Sequence, residues 1–161
     1  MNRFYIGLGI FLILAFTRFI PHPPNFTSLI ALSFYVPAIF GLRFLPLVLI
    51  SYVLTDLFIG FHNTIFFTWG SVIAIGFLSK YLNSSIILRI FGAMGGATLF
   101  FIITNYGVWL NGMYDQSLKG LMESYLMGLP FYGYNIVSTI IFSCIIELIY
   151  YLAKLKLKYT S

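Results

Sequence analysis

Six apolar stretches, separated mostly by short polar breaks, take up most of this 161-residue chain. A helix of about 20 apolar residues crosses the ~30 Å hydrocarbon core of a lipid bilayer. Only 8% of the residues are charged, whereas an average soluble domain has about 25%. Too few polar side chains remain to cover a water-soluble core. The sequence therefore predicts an all-α, polytopic membrane protein.

We predict about six transmembrane helices in one domain, residues 1–161, because linkers and tandem repeats are absent from the sequence. The predicted spans are Phe4–Ile20, Thr27–Gly41, Phe44–Gly60, Thr64–Ser79, Ile86–Thr104 and Gly133–Leu152. The second and fourth are at the lower length limit for a span. Pro37 interrupts the second, so a kinked or partly re-entrant segment stays open there.

The stretch from Asn105 to Tyr132 is the one long predicted connection. Within it, apolar residues from Leu118 to Leu129 recur at helical spacing, which predicts a short amphipathic helix on the outer surface, ended by Pro130. Two roles remain open for this helix. It anchors the loop to the membrane, or it forms a lid over a binding site.

The distribution of cations predicts the orientation. Seven of the nine Lys and Arg residues fall on one predicted side: Arg3, Arg43, Lys80, Arg89, Lys154, Lys156 and Lys158. Arg18 and Lys119 fall on the other. Because cytoplasmic loops carry the excess of cations, we predict both termini in the cytoplasm and the protein in the inner (cytoplasmic) membrane. The cations form no basic run, so we expect no nucleic-acid partner.

Polar and aromatic residues gather on the predicted outer side, which indicates a small-molecule site open to the outside. The candidate substrate-binding residues are Arg18, Asn25, Asp56, His62, Asn63, Asn105, Trp109 and Tyr132. A carboxylate inside a span needs a partner or a cavity, so Asp56 pairs with Arg18 or contacts the ligand. Trp109 and Tyr132 are candidates for stacking on the ligand or for the membrane-interface belt. We expect no catalytic residue, metal or cofactor, since His22 and His62 lack metal-ligand spacing.

Two further features leave alternatives open. A run of small residues, Gly92 to Ala97, lets backbones approach closely, either within the chain or against a partner subunit. Glu147, near the inner end of the last span, forms an ion pair with Arg43, Lys80 or Arg89, or it takes part in proton coupling.

Three segments, Arg18–Thr27, Asp56–His62 and Phe100–Trp109, resemble a family of small bacterial membrane proteins of unknown function. Gly120-Leu121 and Leu129–Tyr132 continue the resemblance, which covers nearly the whole chain. More distantly, the chain resembles the S components of energy-coupling factor (ECF) transporters. That resemblance implies a six-helix subunit that binds a vitamin under external loops and docks on a transmembrane coupling subunit with two ATPases. The small-x-x-x-small motif of their first helix is not matched here.

We therefore expect a non-enzymatic, substrate-binding membrane subunit that captures a small, vitamin-like micronutrient from outside. Transport would need an energising partner, because the sequence has no Gly-x-x-x-x-Gly-Lys nucleotide loop. The alternative is a non-catalytic accessory subunit of a larger membrane complex, with the Gly92–Ala97 run as its interface. An enzyme or a haem protein with two histidine ligands is the third possibility.

Overall fold

The computed structural model describes residues 3–160, and side chains as far as residue 156. The elements in chain order are α1 (Arg3–Phe19), α2 (Leu29–Phe40), a 3-10 turn (Leu42–Phe44), α3 (Leu45–Ile59), α4 (Ile65–Leu78), α5 (Ile86–Leu110) and α6 (Leu118–Thr160). Residues 3–160 contain no strand, and each predicted span overlaps a helix. The predicted all-α class is confirmed.

Apolar side chains cover the outside of the bundle, and many polar ones lie inside. For example, Phe4 and Phe16 of α1 are about two-thirds exposed. In contrast, Asp56 of α3 and Thr139 of α6 are fully buried. Large exposed apolar surfaces are unusual for a soluble monomer. Three helical stretches of the described chain are long and apolar enough to cross a membrane: Leu42–Ile59, Ile86–Leu110 and Leu118–Lys156. The chain therefore has the character of a membrane protein.

The prediction of about six transmembrane helices is met only in part, because three helices among residues 3–160 are long enough to cross a membrane. The other three are shorter, and α1 has 17 residues. α2 has 12 residues and α4 has 14, which correspond to about 18 and 21 Å. The predicted spans extended only one or two residues beyond these helices, to Thr27 and Gly41 for α2 and to Thr64 and Ser79 for α4. In the fold those residues lie in the connections, and Gly41 and Ser79 cap the ends of the two helices.

α2 is the central helix. Every residue from Leu29 to Pro37 is buried, and α3, α4, α5 and α6 all contact it. A helix that is apolar on all sides is buried by its neighbours. Pro37 lies in the last turn, and the backbone N–H of Gly41 closes that turn on the Pro37 carbonyl.

The prediction of a long connection between α5 and α6 is wrong. α5 continues to Leu110, α6 begins at Leu118, and α6 passes through Pro130 without a break. Only residues 111–117 connect the two helices. The amphipathic surface helix predicted at Leu118–Leu129 is therefore the first part of α6, packed along α5.

The orientation of this part of α6 explains the error. The apolar residues Leu118, Met122 and Leu126 are exposed, whereas Gly120 and Ser124 are buried. α6 thus packs through small residues and turns its apolar residues outward, which is the arrangement of helices in lipid. A proline is tolerated inside such a helix because neighbouring helices support it.

The connections define two ends of the bundle. The loop end carries residues 20–28, 60–64 and 111–117, and the opposite end carries residues 41 and 79–85. The Gly92–Ala97 run lies between α5 and its neighbours: a Cβ at Gly92 would collide with Phe34 of α2, and one at Gly96 would press on Ile75 of α4. The run serves packing within the chain, so most of it is not available to a partner subunit.

Candidate functional site

A cleft with two lobes opens at the loop end. The larger lobe has a volume of about 510 Å³ and the smaller one about 220 Å³. Arg18, Asn25, Tyr52 and Phe100 line both lobes. Ligand pockets of proteins commonly measure about 300–1,000 Å³, so the cleft is large enough for a small organic molecule.

The short central helix explains why the cleft reaches into the bundle. Leu29 and Ile30, in the first turn of α2, line the smaller lobe. The segment before α2 turns sharply at Asn25, whose φ of 63° is left-handed, a conformation that Asn adopts more readily than most residues. This segment is tied to α1 by a 2.9 Å hydrogen bond between the hydroxyls of Ser28 and Thr17.

A charged pair forms one wall of the cleft. Nη2 of Arg18 lies 2.7 Å from Oδ1 of Asp56, as the sequence predicted. Asp56 is fully buried, and its Oδ2 accepts a hydrogen bond of 2.8 Å from the indole N–H of Trp69. The guanidinium of Arg18 also donates to the Thr55 hydroxyl and lies over the Tyr52 ring. Arg18 thus faces the cleft, and its charge is neutralised by Asp56, which is buried on the side away from the cleft.

Hydrogen-bonding groups other than Arg18 also line the larger lobe. His62, Thr68 and Asn105 are among them. The ring of His62 is held by a 2.9 Å hydrogen bond to the Thr64 hydroxyl. The side-chain N–H of Asn105 donates to the Phe101 carbonyl, and the side-chain oxygen of Asn105 lies close to Gly128 of α6. The lobe can therefore both donate and accept hydrogen bonds.

A family model matches residues 1–160 of the chain. The chain belongs to the family of unknown function DUF6580. No curated protein and no solved structure matches this DUF6580 member. The predicted resemblance to a family of unknown function is confirmed, and the resemblance to S components stays a prediction.

The structure brings four of the eight candidate residues of this DUF6580 member to the cleft. These four are Arg18, Asn25, His62 and Asn105. Asp56 is next to the cleft but shielded from it by Arg18. Asn63 uses its backbone carbonyl to accept a hydrogen bond from the Asn111 side chain. It holds two loops together and does not line the cleft.

The two aromatic candidates are placed elsewhere, so their predicted contact with a ligand has no support in the geometry. The indole N–H of Trp109 donates to the Asp115 carbonyl at 3.0 Å, which braces residues 111–117. The hydroxyl of Tyr132 is 2.9 Å from that of Thr98, and its ring packs on Phe101 between α5 and α6. Both side chains are therefore occupied by local partners.

The sequence reasoning missed Tyr52, Phe100 and Asn135 as cleft residues. Tyr52 and Phe100 sit inside apolar spans, where nothing distinguishes a lining ring from a core ring. The spacing of Tyr52 one helical turn before Asp56 was the available signal, since residues four apart share a helix face.

A second charged pair lies towards the opposite end. Arg89 of α5 binds Glu147 of α6 through two hydrogen bonds, 2.6 Å from Nε to Oε1 and 2.7 Å from Nη2 to Oε2. Arg89 also donates to the Asn83 carbonyl in the 79–85 connection. Of the partners considered for Glu147, the structure selects Arg89. This pair borders neither lobe of the cleft.

Proposed function

We propose that this DUF6580 member is a substrate-binding membrane subunit that captures a small, vitamin-like micronutrient from outside the cell for uptake. The observation that carries the proposal is the cleft: it is a large concave surface lined by hydrogen-bonding groups on a molecule whose exterior is otherwise apolar. Such clefts are the usual sites for small ligands. We therefore propose a binding role for the cleft rather than a catalytic one.

The cation bias supports the orientation. Arg43 and Lys80 lie at the opposite end and Lys154 and Lys156 near the end of α6, where the positive-inside rule puts the cytoplasm. We therefore place the loop end outside, the termini inside, and the protein in the inner membrane. In this topology all six helices cross or enter the bilayer.

The short helices fit this topology if their connections lie at membrane depth. Non-helical backbone is tolerated there when it is buried in protein or lines a water-filled cavity. Residues 20–28 before α2 and 60–64 before α4 supply Asn25 and His62 to the cleft wall. Because α2 and α4 are short, they leave room for the cleft at the loop end of the bundle.

The lining also limits the class of ligand. Arg18 is paired with Asp56, and the described residues that line the cleft include no other Lys, Arg, Asp or Glu. Tyr52 and Phe100 offer rings beside several amide, hydroxyl and imidazole groups. A small, neutral or weakly charged compound that combines a ring with polar substituents fits this lining.

Uptake by this subunit would draw on an energising partner, for which a transmembrane coupling subunit with ATPases is the expectation from the resemblance to S components. The alternative, an accessory subunit of a larger complex, has less support, because most of the Gly92–Ala97 run packs within the chain. We therefore favour ligand capture.

Native mass spectrometry of the protein purified from its own host tests the proposal. We expect a retained small molecule of one defined mass. A stoichiometric protein partner with no retained molecule, or an empty protein, would contradict ligand capture and favour the accessory subunit.

Two tyrosine variants test whether the cleft holds that molecule. Tyr52→Phe removes the hydroxyl of a residue that lines both lobes, and Tyr132→Phe removes the hydroxyl of a residue that lines neither. One hydrogen bond is worth about 1 kcal/mol, so Tyr52→Phe should weaken binding roughly fivefold, and Tyr132→Phe should leave it unchanged. The reverse pattern would indicate that the molecule binds between α5 and α6, next to Tyr132, and not in the cleft.

A further inference from the structure

A stripe of polar residues runs along the inward face of α6. Its members are four residues apart and all are buried: Asn135, Thr139, Ser143 and Glu147. Residues at this spacing lie one above the other on a helix. The stripe begins at Asn135 in the wall of the smaller lobe and ends at the Glu147–Arg89 pair. The distance along the helix is about 18 Å.

The middle of the stripe contains hydroxyl groups without partners. The hydroxyls of Thr139 and Ser143 make no hydrogen bond, and neither does that of Tyr35, on the facing surface of α2. The exposed fractions of these three residues are 0%, 0% and 1%. The Tyr35 hydroxyl is close enough to the Ser143 hydroxyl and the Glu147 carboxylate to interact with both, but neither contact has the geometry of a direct hydrogen bond.

These hydroxyls differ from the other buried ones nearby. Buried Ser and Thr in helices commonly donate to a carbonyl three or four residues back. Ser138 does so to Asn135, and Ser33 does so to Leu29. Thr139 and Ser143 make no such bond, so their hydroxyls need another partner between α2 and α6.

Ordered water is the partner that fits. Buried polar groups without protein partners are normally satisfied by internal water, which makes about three hydrogen bonds. A bare cation is disfavoured, because Arg89 already supplies a positive charge to Glu147 and the other groups are neutral hydroxyls.

We propose that Tyr35, Thr139 and Ser143 form an internal water site that links the cleft to the Glu147–Arg89 pair. Water bound there completes a polar route through the centre of the bundle, from Asn135 to Glu147. The inference is independent of which molecule the cleft binds, since it rests on the buried hydroxyls and not on a ligand.

Hydroxyl-radical footprinting of the purified full chain in lipid nanodiscs tests the site, because radicals made from a bound water modify the side chains beside it. Phe34 is the matched control: it neighbours Tyr35 and is equally buried, but it packs on Gly92 in apolar surroundings. Each rate is divided by the rate in the denatured protein. We expect Tyr35 to be modified several times faster than Phe34.

Two variants on α6 sharpen the test. Ser143→Val replaces an unpartnered hydroxyl by apolar volume and should bring the Tyr35 rate down to that of Phe34. Ser138→Ala removes a hydroxyl that already has its partner and should leave the Tyr35 rate unchanged. If Ser143→Val does not fold, Thr139→Val, which conserves volume, takes its place. Equal rates for Tyr35 and Phe34 in the unmodified protein would overturn the proposal.

Discussion

The two buried charge pairs found among the side chains of residues 3–156 join the same kinds of groups in different surroundings. Arg18–Asp56 stands at the loop end with its cation facing the cleft, and its acid is fully buried. Arg89–Glu147 lies towards the opposite end, joins α5 to α6 by two hydrogen bonds and borders neither lobe. The difference indicates that the first pair shapes a binding surface, whereas the second clamps two helices.

The surroundings of the acids also differ. Asp56 depends on Arg18 and on the indole of Trp69, and its side chain has no exposed surface. The Glu147 side chain is 9% exposed and lies at the end of the stripe of polar groups. Loss of the arginine should therefore cost more at Asp56 than at Glu147, because an unpaired buried charge carries the full desolvation cost.

The largest effect is expected for Arg18→Gln, which leaves Asp56 buried without its cation. The free energy of unfolding in mixed micelles should fall by about 3–5 kcal/mol. Asp56→Asn should cost less, since Arg18 borders the cleft, where water can solvate it. The double variant should cost less than the sum of the two. Additive effects would show that the pair is not coupled.

Arg89→Gln should have the second largest effect. It removes two charge-assisted hydrogen bonds between α5 and α6, so we expect a loss of about 2–3 kcal/mol in the free energy of unfolding. Retention of the co-purified molecule should be unchanged, in contrast to Arg18→Gln. Arg43→Gln is the matched control at the same end, because Arg43 lies over the Phe44 ring at the surface and makes no ion pair among the described residues. If Arg89→Gln releases the molecule, the two pairs do not have separate roles.

The positions of the helices were predictable, because apolar runs are a property of the chain itself and the lipid-facing surface demands them. The region from Asn105 to Tyr132 was not. There the sequence shows apolar residues at helical spacing and a proline. Both features are typical of a helix that lies on the membrane surface and ends at the proline. In the fold, this part of α6 instead packs against α5 and buries its small residues Gly120, Ser124 and Gly128. Only contact with α5 decides which face of such a helix turns inward.

The candidate site was predictable where a polar side chain had no local partner. Arg18 and Asp56 were expected to meet, since a charge inside a span needs compensation. Trp109 and Tyr132 do not line the cleft; Trp109 binds the Asp115 carbonyl six residues further along the chain, and Tyr132 binds Thr98 of α5. A lone sequence gives no distances between such groups, so it cannot separate a ring that lines a cleft from one that braces a loop.

Alanine substitutions at two glycines should have a smaller effect on stability and test the same difference between the two ends. A Cβ at Gly128 would collide with the side chain of Asn105 in the cleft wall, and one at Gly92 would collide with Phe34. Each Gly→Ala variant should lose about 1–3 kcal/mol from overpacking. Only Gly128→Ala should also alter retention of the co-purified molecule.

Gly133→Ala is the control for this pair of variants, because a Cβ at this position would meet nothing within 4 Å. Alanine is the better helix former, by about 0.8–1 kcal/mol, so this variant should be neutral or stabilising. A loss of stability at Gly133 as large as that at Gly128 would mean that contact with Asn105 does not account for the effect.

The smallest effect is expected for the exposed pair Lys119–Glu123, on the first turns of α6. Their charged atoms are 3.8 Å apart, and the Lys119 side chain is 86% exposed. Water and salt screen such a pair, and the basic residue precedes the acidic one, which is the less favourable order along a helix. A double-mutant cycle with Lys119→Ala and Glu123→Ala should give a coupling below about 0.5 kcal/mol that disappears at high salt. A coupling comparable to that of Arg18 and Asp56 would show that burial does not set the strength of these pairs. The difference in stability expected between Arg18–Asp56 and Arg89–Glu147 would then need another cause.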